Sequence, residues 1–293
     1  MVINNLSLWT KTMVDPISGG TFSQLLNTIN RNRSGLQNSL ERISSGRKLN
    51  QAGTDAAASA VSTQLRSEIS SLTQAVSNVE TGANFTRTAD GGLAGVGDLV
   101  SRGRELAIQS SNGTLNDSQR QALNQEFSQI QSEIDRLTNT LEFNGQKLLD
   151  GSLAPSADPV NIQAGSGSGT ANQINLNVVE SVTTESLGIA NSDISTSEGA
   201  LQAVDDFEKA AQTLNSARGQ VGAVGNRLAS SANGLNSQIE NLTQAESGLA
   251  DTDLAEEVTR LQQGLLRFET SLRALASQIQ NEQSRARILD FSV

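Results

Sequence analysis

Residues 207–249 read FEKAAQT LNSARGQ VGAVGNR LASSANG LNSQIEN LTQAESG L, with an apolar side chain at every seventh position: Phe207, Leu214, Val221, Leu228, Leu235, Leu242 and Leu249. Ala210, Ala217 and Val224 fill the second position of the same seam. A strict seven-residue repeat keeps one stripe of a helix turned toward a partner helix, so the spacing predicts a coiled-coil helix. As one unbroken helix the stretch would span roughly 65 Å at its rise per residue. A compact globule of this chain length is only about 50 Å across. The expected molecule is therefore a rod.

The same signature recurs on both sides. Downstream, Ala250-Asp251-Thr252-Asp253 is a short polar break that can cap a further helix, whose Val258, Leu261, Leu265, Phe268, Leu272, Leu275 and Ile279 alternate in spacings of three and four. Upstream, Ser195 to Glu198 fits a capping box that would open the long helix. Leu123, Phe127, Ile130, Ile134, Leu137 and Leu141 mark a helix behind the cap Asn116-Asp117-Ser118. Val61, Leu65, Ile69, Leu72, Val76, Val79 and Ala83 mark another, which Gly91-Gly92 reads as interrupting before Leu93, Val96 and Val100 resume it. Nearer the N-terminus, Phe22, Ile29, Leu36 and Ile43 again fall at sevens. Before them, Asp15-Pro16-Ile17-Ser18-Gly19-Gly20 reads as turn chemistry, setting the first fourteen residues apart as a short element. Pro16 lacks a backbone donor and argues against a continuous terminal helix through it. Between Asn144 and Ser192 the character changes to Gly, Ser, Asn and Thr. There Val160 and Ile162, then Ile174, Leu176 and Val178, alternate with polar residues and predict one or two small hairpins.

Composition limits the chemistry. The 293 residues include no His, no Cys and no Tyr, and only seven Phe and one Trp. That excludes disulfides, a thiolate nucleophile, the usual zinc, haem or copper sites, and triads that need an imidazole. Twenty-one basic against 31 acidic side chains leave a net charge of −10, which argues against nucleic acid as a partner. No apolar run reaches ~18 residues, so no membrane span is expected. Met1 to Lys11 lacks the layout of a secretory signal. Ser45-x-x-Lys48 has the spacing of a serine–lysine acyl-transfer pair but sits in a polar break without companion motifs. Gly165-Ser-Gly-Ser-Gly169 precedes a β pattern, not the helix start a phosphate loop needs. The expectation is a non-enzyme with no cofactor and no metal.

The predicted fold class is mainly α: a long antiparallel helical coiled-coil bundle with a small β-hairpin-rich tip and with the N- and C-terminal helices paired. Residues 1–55 and 252–293 would form a terminal coiled-coil domain. Residues 56–251 would form a helical rod, with the β-rich segment at 144–192. Helix pairs with so narrow an apolar stripe are marginal alone and gain most by packing against copies of themselves. The residues expected to carry that packing are Phe22, Ile29, Leu36, Ile43, Leu261, Leu265, Phe268, Leu272 and Ile279. The alternative is a two-helix stalk that does not polymerise.

Several stretches resemble a known family. Glu41-Arg-Ile-Ser-Ser-Gly46, Arg47-Lys48-Leu49-Asn50 and Thr54-Asp55-Ala56-Ala57 are similar to the N-terminal signature of bacterial flagellins. So are Arg104-Glu-Leu-Ala-Ile-Gln109 and Glu142-Phe-Asn-Gly-Gln-Lys-Leu-Leu149. Asp251-Thr252-Asp253 with Glu256-Glu257-Val258-Thr259 resembles the family's junction between helices. The resemblance covers residues 40–150 and 195–265. It implies an extracellular structural subunit that self-assembles into the flagellar filament for motility. It also implies passage through the flagellar type III export channel, terminal helices lining an inner tube, and a short central segment giving a thin, nearly smooth filament. The partners it implies are further copies of the chain, an export chaperone, the cap protein and hook-associated proteins. The C-terminal stretch Ser284 to Val293 resembles the end of the hook–filament junction protein, a flagellin relative. A junction or minor flagellin is therefore an alternative, and a secreted adhesin or receptor ligand is one from another class. The family further implies recognition of free monomer by a Toll-like innate immune receptor. Its contact pattern maps to Arg102, Leu106, Gln109 and Glu126, with Arg102 and Leu106 one helical turn apart.

Overall fold

The seams become helices where they are predicted. The computed structural model describes the backbone of residues 15–50 and 55–290, and the side chains of 20–50 and 55–284. Within it, α1 spans Asp15–Ser45, α2 Ala56–Ser110, α3 Asp117–Thr140, α4 Ser197–Ala250 and α5 Leu254–Asp290. Strands β1 (Glu142–Phe143) and β2 (Gln146–Lys147) form one antiparallel pair, and β3 (Asn161–Gln163) and β4 (Gln173–Asn175) a second. The short element expected over the first fourteen residues lies outside the described residues.

Three local expectations are corrected. Residues 15–20 are the start of α1, not a turn. Proline is tolerated in a first helical turn because its missing N–H would have no partner there. Gly91-Gly92 does not interrupt α2. A Cβ on Gly92 would lie 2.1 Å from Leu141 Cδ2, so that glycine is a point of close helix contact. The cap of α4 is Thr196, whose hydroxyl accepts the Gly199 N–H at 3.0 Å, and not the predicted Ser195. By contrast, Asn116 caps α3 with a reciprocal bond to Gln119, and Asp253 caps α5 through the N–H groups of Ala255 and Glu256.

The chain divides into two compact units, residues 66–243 and residues 1–65 with 244–293. In the first, α2 runs antiparallel to α3 and to α4, with Arg104 on Glu208 at 2.9 Å and Arg218 on Asp90 at 2.9 Å. Phe127 and Phe207 meet at 5.0 Å between ring centroids in the core, and the α4 row Phe207, Leu214, Val221, Leu228 and Leu235 is buried. The turn between α2 and α3 is clamped by Arg120, whose buried guanidinium donates to the carbonyls of Ser110, Asn112 and Leu115.

Residues 182–194 return along α3 and are laced to it by polar side chains. Gln131 donates to the Ile189 carbonyl at 2.7 Å, and Asn124 accepts the Ile194 N–H at 3.1 Å. Asp135 accepts both the N–H and the hydroxyl of buried Thr184, at 2.9 and 2.8 Å. Val182, Leu187, Ile189 and Ile194 thereby join the core. Asp135→Ala leaves two donors without their charged acceptor and is expected to cost about 1.5–3 kcal/mol, read as a lower midpoint in urea unfolding.

Asp193, at the end of this lacing, accepts the Ser195 N–H at 2.6 Å. Bonds from the Ser195 side chain and N–H hold its carboxyl below the usual range, against the opposing effect of partial burial. A carboxyl lowered in the folded state adds stability that is full above its unfolded value and is lost as pH falls through the folded value. Asp193→Asn is therefore expected to flatten the loss of stability with acid below about pH 4. Urea unfolding across that range checks it.

Candidate self-association surface

The second unit inverts the usual distribution of side chains. Helices α1 and α5 pair antiparallel: Gln278 Nε2 donates to Thr21 Oγ1 at 3.0 Å, Leu36 abuts Gly264, and Arg42 faces Glu257 at 3.8 Å. A Cβ on Gly264 would sit 2.9 Å from Leu36 Cδ2, so the glycine lets the helices close at that level. Among the described residues of this unit, Ala250 is the one buried apolar side chain, while Ser62, Glu257 and Ser271 are buried polar ones. Glu257 lies between Arg42 and Arg260, each 3.8 Å away.

The apolar residues of α5 form two rows. Leu261, Phe268 and Leu275 are half-buried, as are Ile29, Leu36 and Ile43 of α1. The other row, Val258, Leu265, Leu272 and Ile279, remains 41, 52, 42 and 43% exposed at a constant spacing of seven. Neighbouring Leu266 is 64% exposed, and Phe22, Leu26 and Leu40 of α1 are exposed as well. Leu266 also lines a cleft of about 440 Å³ between the helices, with Thr28, Asn32, Arg267, Thr270, Ser271 and Ala274. A heptad helix has two seam positions, and here the partner helix fills one of them. Of the nine predicted packing residues, Phe22, Leu265, Leu272 and Ile279 are exposed and the other five are half-buried. Val258, Leu26, Leu40 and Leu266 belong to the open surface too. The seven-residue spacing from Val258 to Ile279 was the signal for the first of these.

The two breaks in the helical path are tied together at their backbones. Lys48 N–H donates to the Ala250 carbonyl at 2.7 Å and Thr252 N–H to the Gly46 carbonyl at 3.0 Å, with Gly46 at a φ of +68° that favours glycine. Ser62 donates to Glu246 at 2.8 Å beside Arg47. The Ser45 hydroxyl donates to the Glu41 carbonyl and accepts from Asn50 Nδ2 at 2.6 Å. It is engaged in ending α1.

On α2 and α3 of the other unit, Arg102 bridges Glu126 at 2.8 Å and Glu105 at 3.1 Å. Bonds to Glu126 and then Glu105 raise its guanidinium above the ordinary value. Arg102, Gln109 and Glu126 are exposed. Leu106 is 1% exposed and belongs to the core, so it does not share the Arg102 face as its spacing suggested. Their difference of four residues is a 40° rotation about the helix axis, enough to carry a side chain from rim to interior.

Comparison with known proteins identifies the family. Residues 20–154 match the bacterial flagellin N-terminal helical region, and residues 201–289 the bacterial flagellin C-terminal helical region. A flagellin of Halalkalibacterium halodurans is 35% identical, over 86% of this chain and 91% of its own. A flagellar filament 30.7 kDa core protein of Treponema maltophilum is 33% identical, over 84% of this chain and 89% of its own. A solved structure described as a flagellar hook-associated protein from Vibrio parahaemolyticus shares the fold at 13% identity, with a TM-score of 0.55 over 68% of this chain and all of that one. The chain belongs to the flagellin family, structural proteins that form the extracellular filament of the bacterial flagellum.

Proposed function

We propose that this chain is a filament-forming flagellin whose copies associate through the open rows of α1 and α5. The carrying observation is the row Val258, Leu265, Leu272 and Ile279, left close to half exposed by its own partner helix. Full burial of such a side chain contributes about 1.5–3 kcal/mol, so completing a half-finished burial contributes about 1 kcal/mol each. Charge supports the same reading. Residues 1–65 and 244–293 carry eleven basic and eleven acidic side chains, and residues 66–243 carry ten and twenty. The whole net charge of −10 thus lies outside the unit that bears the open rows, and that unit can meet its copies without net repulsion. In this reading residues 1–55 and 252–293 form the inner core of the filament and 56–251 the surrounding rod. Export follows the flagellar type III route, with chaperone, cap and hook-associated proteins as further partners. Growth of long uniform filaments from purified protein on authentic seeds is expected. Binding to seed ends without elongation would instead assign a junction or minor subunit.

Recognition of free monomer by a Toll-like receptor is the second proposed role, supported by the exposed cluster of Arg102, Gln109 and Glu126. Arg102→Ala removes the cation and frees Glu126. A receptor reporter assay is expected to show at least a tenfold weaker response, which corresponds to about 1.4 kcal/mol. An unchanged response rejects this contact set. Because Leu106 is interior, Leu106→Ala acts through stability: it should lower the thermal midpoint before it alters recognition.

A further inference from the structure

We propose that Asn112, in the exposed turn between α2 and α3, is a site of self-catalysed deamidation. The proposal is independent of the assembly reading and rests on local geometry. The chain holds three Asn-Gly pairs: Asn112-Gly113, Asn144-Gly145 and Asn233-Gly234. Glycine after asparagine removes the side chain that would hinder its own nitrogen from reaching the asparagine amide carbon. The Gly113 nitrogen gives its proton to solvent and bonds to Asn112 Cγ. The Cγ–Nδ2 bond breaks and the nitrogen leaves as ammonia, taking a proton from water. Water then opens the cyclic imide at either carbonyl, giving aspartate or isoaspartate, with no change of oxidation state.

The fold must supply a free nucleophile and an activated carbonyl. At Asn112 the two coincide. The Gly113 N–H donates to no group among the described residues. Asn112 Oδ1 accepts from the Thr114 N–H at 3.1 Å and from the Thr114 hydroxyl at 3.0 Å, which draws charge from Cγ. Both residues of the pair are exposed and outside any helix or strand. Asn233 lacks the first, because it lies within α4, where the Gly234 N–H is committed to the helical ladder. Asn144 lacks the second, since its Oδ1 accepts from no group among the described residues. With φ of +52° at Asn144 and +79° at Gly145, it sits in a tight hairpin turn beside the Glu142–Lys147 and Phe143–Gln146 pairs.

The two products differ in consequence. Aspartate keeps the backbone carbonyl that Arg120 holds at 3.0 Å, and its carboxylate can still accept from Thr114. Isoaspartate reroutes the chain through the side-chain carbons and displaces that carbonyl, opening the corner that Arg120 clamps.

The test is to age the purified, folded full-length chain at mildly alkaline pH. Peptide mass mapping, with enzymatic methylation specific for isoaspartate, then follows all three pairs. Asn112 is expected to convert roughly tenfold faster than Asn144 or Asn233, equivalent to about 1.4 kcal/mol in barrier, with the three rates converging in denaturant. Gly113→Ala should slow Asn112 alone, since a Cβ there meets nothing within 4 Å and the fold is undisturbed. Asn112→Asp should keep the parent's thermal midpoint while the isoaspartate-bearing fraction melts lower. Equal rates in the folded chain, or fastest conversion at Asn144, would overturn the proposal.

Discussion

Phe207→Ala is expected to destabilise the unit of residues 66–243 by about 3–5 kcal/mol, the usual cost of deleting a fully enclosed ring. For a domain of this size that is a fall of roughly 10 °C in thermal midpoint. The ring has no exposed surface and lies 5.0 Å from Phe127. It also lies so close to α2 that a Cβ on Gly103 would be 2.3 Å from Phe207 Cε1. Gly103→Ala therefore forces the ring or the helix to move and should cost about 1–3 kcal/mol through overpacking, despite alanine's better helix propensity. Combining Gly103→Ala with Phe207→Leu should cost less than the two changes separately, because the smaller side chain makes room for the methyl. Circular dichroism melts of the four proteins check this. A neutral Gly103→Ala would contradict the close approach of α2 and α4.

Leu265→Asp is expected to differ: cost the monomer little and stop it from polymerising. Leu265 is 52% exposed in the monomer, so losing its existing half burial there should cost about 1 kcal/mol. In an assembled filament the same position would place an unpaired carboxylate against apolar side chains, at a cost of several kcal/mol. A penalty of about 3 kcal/mol raises the concentration needed for growth by more than 100-fold. Leu272→Asp, one heptad along the same open row, should behave alike. Leu261→Asp belongs to the half-buried row and should weaken both the monomer's helix pair and its assembly. Seeded growth followed by light scattering, beside thermal melts of the monomers, separates the two classes. Parent-like growth of Leu265→Asp would remove this row from the interface.

Most of the helical path was legible because seven-residue spacing leaves few alternatives. Phe207 to Leu235 reads as a buried row and is one. The continuation of that row to Leu249 reads identically, yet Leu249 is 38% exposed. Spacing reports which side chains share a stripe, but not whether anything covers it. That is also why Leu265 and Leu261 look alike in sequence and differ in structure. Glycine misled in the other direction. Gly92 looks like a helix breaker, but what places it is Leu141, a side chain across the interface and far away in sequence. Asp15 to Gly20 reads as a turn yet opens α1, because a first helical turn tolerates a proline that a helix interior does not. Leu106 lies one helical turn from Arg102, yet a rotation of 40° per four residues suffices to bury one and expose the other. The lacing of 182–194 onto α3 by Asn124, Gln131 and Asp135 carried no local signal, since its partners lie far apart in the chain.

Assembly through the open rows of α1 and α5 is tested most directly by a helical reconstruction of filaments grown from the purified chain. Val258, Leu265, Leu272 and Ile279 of each copy should be buried against the terminal helices of neighbouring copies, with residues 66–243 on the outside carrying the excess acidic charge. A filament in which that row still faces solvent, with copies joined only through residues 66–243, would contradict it.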